Sequence, residues 1–113
     1  LPVVVSSDGS TVYVANRFAN SISVIDAATY TVSATIPVGE FPSSIVLDTN
    51  TESGYLYVLN YSDSTIMLID SETNNVFDQV ITVGNYPVGA AITLDGSKMF
   101  VVNDVNGNVM VVE

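Results

Sequence analysis

A chain of 113 residues with 48% hydrophobic side chains is long enough for one compact domain and too apolar to remain disordered. Twelve acids against two basic residues, Arg17 and Lys98, leave a net charge of −10, which repels nucleic acid and anionic membrane because no basic stripe is present to neutralise phosphates. With no His and no Cys, the commonest general base, the usual zinc and haem ligands, the thiol nucleophile and any disulfide framework are absent from these residues.

In chain order, residues 3–6, 11–16, 21–26 and 31–37 are rich in Val, Ile, Thr and Tyr. The turn residues Asp8-Gly9, Ala19-Asn20 and Asp26-Ala27-Ala28-Thr29 separate them, which predicts four short antiparallel strands. The second of these is apolar on both faces, as a strand sandwiched between layers must be. In the fourth, Val32, Ala34 and Ile36 alternate with Thr31, Ser33 and Thr35, predicting one face in the core and one in water. No helical period survives the Pro, Gly, Asn and β-branched content. Residues 1–5 lack the charged flank and the length of a signal peptide, and no run of 18 apolar residues exists, although a leader could have been removed from a chain that does not begin with Met.

The same pattern then recurs. Thr11-Val12-Tyr13-Val14-Ala15-Asn16 returns as Tyr55-Leu56-Tyr57-Val58-Leu59-Asn60 and as Lys98-Met99-Phe100-Val101-Val102-Asn103, with the closing Asn 44 and then 43 residues apart. Val24-Ile25-Asp26, Leu68-Ile69-Asp70 and Val111-Val112-Glu113 keep step, and Val38-Gly39 with Phe41-Pro42 returns as Val83-Gly84 with Tyr86-Pro87. A period near 40 to 45 residues built of short strands is the mark of β-propeller blades. The all-β reading is therefore two four-stranded blades plus a partial third of three strands: residues 1–39, 40–84 and 85–113. The second unit carries two additional features, a longer hairpin around Asp48 to Gly54 and one extra residue that predicts a bulge near Phe77-Asp78-Gln79. About eleven strands do not close a ring, so the chain is expected to be a stretch of a longer propeller or, less favoured, a subunit completed by other chains. Its open blade ends should seek protein partners or copies of itself.

The succession Ser7 to Asn16, then Ser23 to Thr29, then Ala34 to Gly39 resembles the YVTN-type β-propeller repeat. The resemblance covers nearly the whole chain, more loosely in the second unit, where Thr51-Glu52-Ser53-Gly54 replaces the Asp-Gly turn. It implies a domain that is typically seven-bladed, in a surface-layer or other secreted or cell-surface protein of an archaeon or bacterium. Some propellers of related repeat type belong to haem or copper reductases, and some lactonases are propellers too, but their ligands or catalytic residues have no counterpart in these residues. The expected function is thus a non-enzymatic module for scaffolding, adhesion or protein binding, with no cofactor. The alternative is part of an enzyme or electron-transfer propeller whose active residues lie outside this chain.

Individual residues fit that expectation. Asp8, Asp26, Asp70 and Asp95 recur at turns, where a carboxylate accepts hydrogen bonds from nearby backbone N–H groups and shapes the loop. Asn16, Asn60 and Asn103 end the second strand of each unit, where an amide satisfies free backbone groups or, alternatively, lines one face of a ring. Asn60-Tyr61-Ser62 is a glycosylation sequon, silent if Asn60 is packed into the blade. Asp104, Asn106 and Asn108, and likewise Asp48, Asn50 and Glu52, alternate oxygen-bearing side chains in loops; each set is a polar hairpin or a calcium loop. Phe18, Phe41, Tyr61 and Tyr86 fall in loops, as interface anchors or, for the two that precede Pro, as packing between blades.

Overall fold

The computed structural model describes residues 2–48, 54–93, 95–104, 107 and 109–112. Its strands are β1 (Val3–Val5), β2 (Thr11–Asn16), β3 (Ser21–Asp26), β4 (Thr31–Pro37), β5 (Pro42–Asp48), β6 (Tyr55–Asn60), β7 (Thr65–Asp70), β8 (Val76–Thr82), β9 (Pro87–Ile92), β10 (Met99–Asn103) and β11 (Val109–Val112). They form three antiparallel meanders, β1-β2-β3-β4, β5-β6-β7-β8 and β9-β10-β11. The sheets stack as propeller blades, and their innermost strands β1, β5 and β9 touch in succession.

Two apolar layers hold the stack together. Tyr13, Ala15, Ile22 and Val24 of the first sheet close onto Ile45, Leu56, Val58 and Ile69 of the second. The opposite face of the second sheet, through Leu59 and Ile66, packs on Val83, Met99 and Val101. Alternate residues of β6 thus serve different layers, which is why that strand reads as a continuous apolar run. Each buried Leu, Ile or Val contributes about 1.5–3 kcal/mol relative to exposure.

In β4 the structure departs from simple alternation. Ile36 is buried and Ala34 half-buried, yet Val32 is exposed. The pairing steps from Val24↔Ala34 to Ile25↔Val32, leaving Ser33 as a bulge whose hydroxyl donates to the Val24 carbonyl at 3.2 Å. A one-residue slip turns everything beyond it to the other side. The second sheet has a wider shift at the corresponding place: Met67 pairs with Val80 and Ile69 with Val76, so residues 77–79 lie opposite Leu68 alone. The extended hairpin and its Asn50 and Glu52 fall at 49–53, outside the described residues.

The Val-Gly and Asn rungs interlock across the seams between blades. A Cβ on Gly39 would fall 2.6 Å from Asn60 Cγ, and one on Gly84 2.6 Å from Asn103 Nδ2, so glycine is required for the connector to lie on the next blade's amide. Both amides are buried, and the Asn60 Nδ2–H donates to Thr65 Oγ1 at 3.4 Å. Asn16 is only half-buried and donates instead to Ser21 and Ser23. Because Asn60 has no exposed surface, the folded blade withholds the sequon's amide from modification. Gly84→Ala should destabilise the fold by about 1–3 kcal/mol through overpacking against a side chain that has nowhere to move. Gly89→Ala, where a Cβ meets nothing within 4 Å, is the matched control, and thermal unfolding of the two variants checks the difference.

Candidate functional site

Turns at the two ends of the blades have different chemistry. At one end the β1–β2 and β9–β10 hairpins are tied by exposed carboxylates. Asp8 accepts from Ser6 Oγ at 2.7 Å, Ser10 N at 3.0 Å and Ser10 Oγ at 2.7 Å. Asp95 accepts from Thr93 Oγ1 at 2.6 Å, Ser97 N at 3.0 Å and Ser97 Oγ at 2.7 Å. Hydrogen bonds to the charged form hold both groups at about 2, led by the Ser10 N–H for Asp8 and the Thr93 hydroxyl for Asp95. Asp26 and Asp70 each accept a backbone bond, from Ala28 N at 2.8 Å and Glu72 N at 2.9 Å.

Among the described residues, two clefts open between blades. One of about 270 Å³ is polar, lined by Ser10, Tyr13, Asp26, Ser71 and Asn74 among others. Burial pushes the Tyr13 phenol above its ordinary range, partly offset by its hydrogen bond to Ser71. The other, about 110 Å³, is more apolar and lies between Tyr57, Ile81, Ile92 and Met99, with Lys98 beside it.

The face at the other end is built by the β2–β3 and β6–β7 loops, Asp104 and the two blade connectors, and it carries a continuous row of aromatic rings. Phe18 meets Phe41 edge-on at 5.7 Å, Phe41 meets Tyr61 at 5.6 Å, and Tyr61 stacks on Tyr86 at 4.9 Å and 25°. The guanidinium of Arg17 lies 5.8 Å from the Phe41 centroid, and its Nε is buried without a hydrogen-bond partner. At the far end Tyr61 Oη–H donates to Asp104 Oδ2 at 3.0 Å, and that bond raises the Tyr61 pKa. Phe18 is 90% exposed and Tyr86 39%, so the row presents itself to solvent.

Backbone strain holds the row in place. Phe41 and Tyr86 sit at φ 55° and 57°, a left-handed conformation that bulky residues rarely adopt and one unusual before proline. Each is pinned from both sides. Phe41 N–H donates to Asn20 Oδ1 at 2.9 Å and Tyr86 N–H to Ser64 Oγ at 3.3 Å, while their carbonyls accept from Tyr61 N and Asp104 N at 2.9 Å. Strain of this kind costs about 1–3 kcal/mol per residue and persists only where the surroundings over-determine it. Asn20 and Ser64 are themselves left-handed turn residues.

The four loop aromatics singled out from the sequence are therefore gathered into one feature. Arg17 escaped sequence reasoning, although it follows the first Asn rung just as Tyr61 and Asp104 follow the second and third. Asp104 is engaged with Tyr61; Asn106 and Asn108 lie outside the described residues, as do Asn50 and Glu52 of the other proposed calcium loop. Among the described residues no group of three or more acidic side chains gathers around a metal position.

Stacked four-stranded antiparallel meanders with touching inner strands define a β-propeller segment. More particularly, the chain belongs to the lactonase seven-bladed β-propeller family, whose model matches residues 2–75. Among solved structures it resembles the Kuenenia stuttgartiensis hydrazine synthase, at 24% identity and TM-score 0.89, over 99% of this chain and 32% of that one. A candidate 6-phosphogluconolactonase of Bacteroides fragilis matches at 17% identity and TM-score 0.79, over 96% of this chain and 33% of that one. The dihydro-heme d1 dehydrogenase NirN matches at 16% identity and TM-score 0.72, over 92% of this chain and 22% of that one. These likenesses show the fold, and the chain spans about a third of the length of the first of them. No curated protein matches.

The family match overturns the non-enzymatic reading. Missing His and Cys describe only this stretch, whereas a propeller active site draws on loops of several blades.

Acid unfolding tests the two hairpin carboxylates. Their folded pKa of about 2 lies below the ordinary 3.8, so their stabilisation is present above about pH 4 and is lost as pH falls through about 2. Asp8→Asn with Asp95→Asn should flatten the fall in melting temperature across that window, with the rest of the profile unchanged.

Proposed function

We propose that this chain is part of an enzyme that hydrolyses a lactone, with its acid–base residues supplied outside these blades. The family match over residues 2–75 carries the reading. In such a reaction water adds to the cyclic ester carbonyl and the acyl–oxygen bond breaks, giving a hydroxy acid and one released proton. These blades contribute the Arg17 end of the aromatic face. A guanidinium held over Phe41 is suited to a polarised carbonyl or carboxylate oxygen, and the exposed Phe18 ring to the apolar side of the substrate. The repeat's likeness to microbial cell-surface proteins supports a location outside the cytoplasm.

Proton release from a panel of sugar-derived and aliphatic lactones, followed at constant pH with the complete protein, tests the activity. Turnover of at least one lactone is expected. Arg17→Ala should lower kcat/KM about tenfold, equivalent to about 1.4 kcal/mol. No turnover of any lactone refutes the reading, while an unchanged kcat/KM removes Arg17 from it.

A further inference from the structure

The aromatic row obeys the repeat, and the repeat shows where it is unfinished. Arg17, Tyr61 and Asp104 occupy one rung, each directly after its strand-end Asn, and Phe41 and Tyr86 occupy the connectors between them. Phe41 is flanked by its two rung neighbours, the Arg17 guanidinium at 5.8 Å and the Tyr61 ring at 5.6 Å. Tyr86 has the Tyr61 ring at 4.9 Å on one side, but its second rung neighbour is the carboxylate of Asp104, and the ring stays 39% exposed.

A carboxylate does not cover an aromatic face, since both the ring's π-cloud and the acid are negative. Together they attract the kind of group that the neighbouring seam already holds. Asp104 is fixed beside Tyr86 by two bonds, its N–H to the Tyr86 carbonyl at 2.9 Å and its Oδ2 accepting from Tyr61 Oη at 3.0 Å, so the acid is positioned before any ligand arrives. The same face carries the exposed acids Glu40 and Asp63, with Asp63 Oδ2 accepting from Glu40 N at 2.8 Å. The chain's second cation, Lys98, belongs to the β9–β10 hairpin at the opposite end of the blade. Field and geometry agree, because a chain of net charge −10 concentrates cations at its surface.

We propose that Tyr86, Tyr61 and Asp104 form a docking site for an arginine side chain of a peptide partner, its guanidinium lying on the Tyr86 ring and bonding Asp104. Arg17 over Phe41 is the intramolecular counterpart of that contact. The site is independent of the hydrolytic reading, which uses neither Tyr86 nor Asp104.

Titration of the full chain with acetyl-Gly-Arg-Gly-amide, followed by NMR through the Tyr61 and Tyr86 ring resonances, tests the assignment. Saturable binding is expected, with a citrulline peptide of the same shape binding at least tenfold more weakly because it lacks the charge. Tyr86→Leu and Asp104→Asn should each weaken the arginine peptide roughly twofold to fivefold, the size of an exposed cation–π or surface ion-pair contribution. Glu72→Gln, which removes an equal charge from an exposed turn elsewhere, should leave the affinity unchanged. An equal response to the citrulline peptide, an equal loss in Glu72→Gln, or an unaltered affinity in either site variant overturns the proposal. If Tyr86→Leu fails to fold, Asp104→Asn on its exposed loop decides alone.

Discussion

The four hydrogen bonds on the Phe41 and Tyr86 backbones are the constraint on which the rest of the molecule depends. Each connector must leave the outer strand of one blade and enter the inner strand of the next within a few residues, and a left-handed residue before proline makes that corner. Asn20 and Ser64 hold the two N–H groups from the preceding blade, and Tyr61 and Asp104 hold the two carbonyls from the following one. The corner is therefore not a loose link between independent sheets. It sets the blade-to-blade spacing that lets Leu56 and Val58 close on the first sheet while Leu59 closes on the third. The exposed rings are a by-product of the same corner, because a strained backbone that faces outward carries its side chain outward too.

Once the corner is repeated, chemistry enters as variation on a fixed lattice of positions. The rung after the strand-end Asn is cationic, phenolic and anionic in turn, so one end of the row offers a guanidinium and the other a carboxylate. A face with opposite charges 87 residues apart in sequence, joined by a line of π-systems, differs from the opposite end of the blades. There Asp8 and Asp95 spend their hydrogen-bonding capacity on their own hairpins. One end of the blades is thus closed on itself, while the other is a loop face that carries both a guanidinium and a carboxylate.

Periodicity made the architecture legible. Recurrent Asn, Asp and Val-Gly rungs located the strands closely, because a propeller imposes the same burial on every copy. Val32 was misread because a bulge leaves no signature in an alternating strand: Ser33 resembles any solvent-facing serine until its partner is known. Arg17 was overlooked for a related reason, since its importance lies in what stands at the same rung 44 and 87 residues later rather than in its own surroundings. The non-enzymatic reading is corrected by the family match and by no residue of the chain. Composition excludes chemistry only from the residues counted.

The fit of Asn60 against Gly39, and of Asn103 against Gly84, has a consequence for how such arrays grow. A blade cut out at its sheet boundaries would carry its amide but leave behind the glycine that makes room for it. The segment that can be copied without a clash takes its leading connector with it, running from one connector to the following one. The heritable module is thus offset from the visible one, and lengthening the array means duplicating seams rather than sheets.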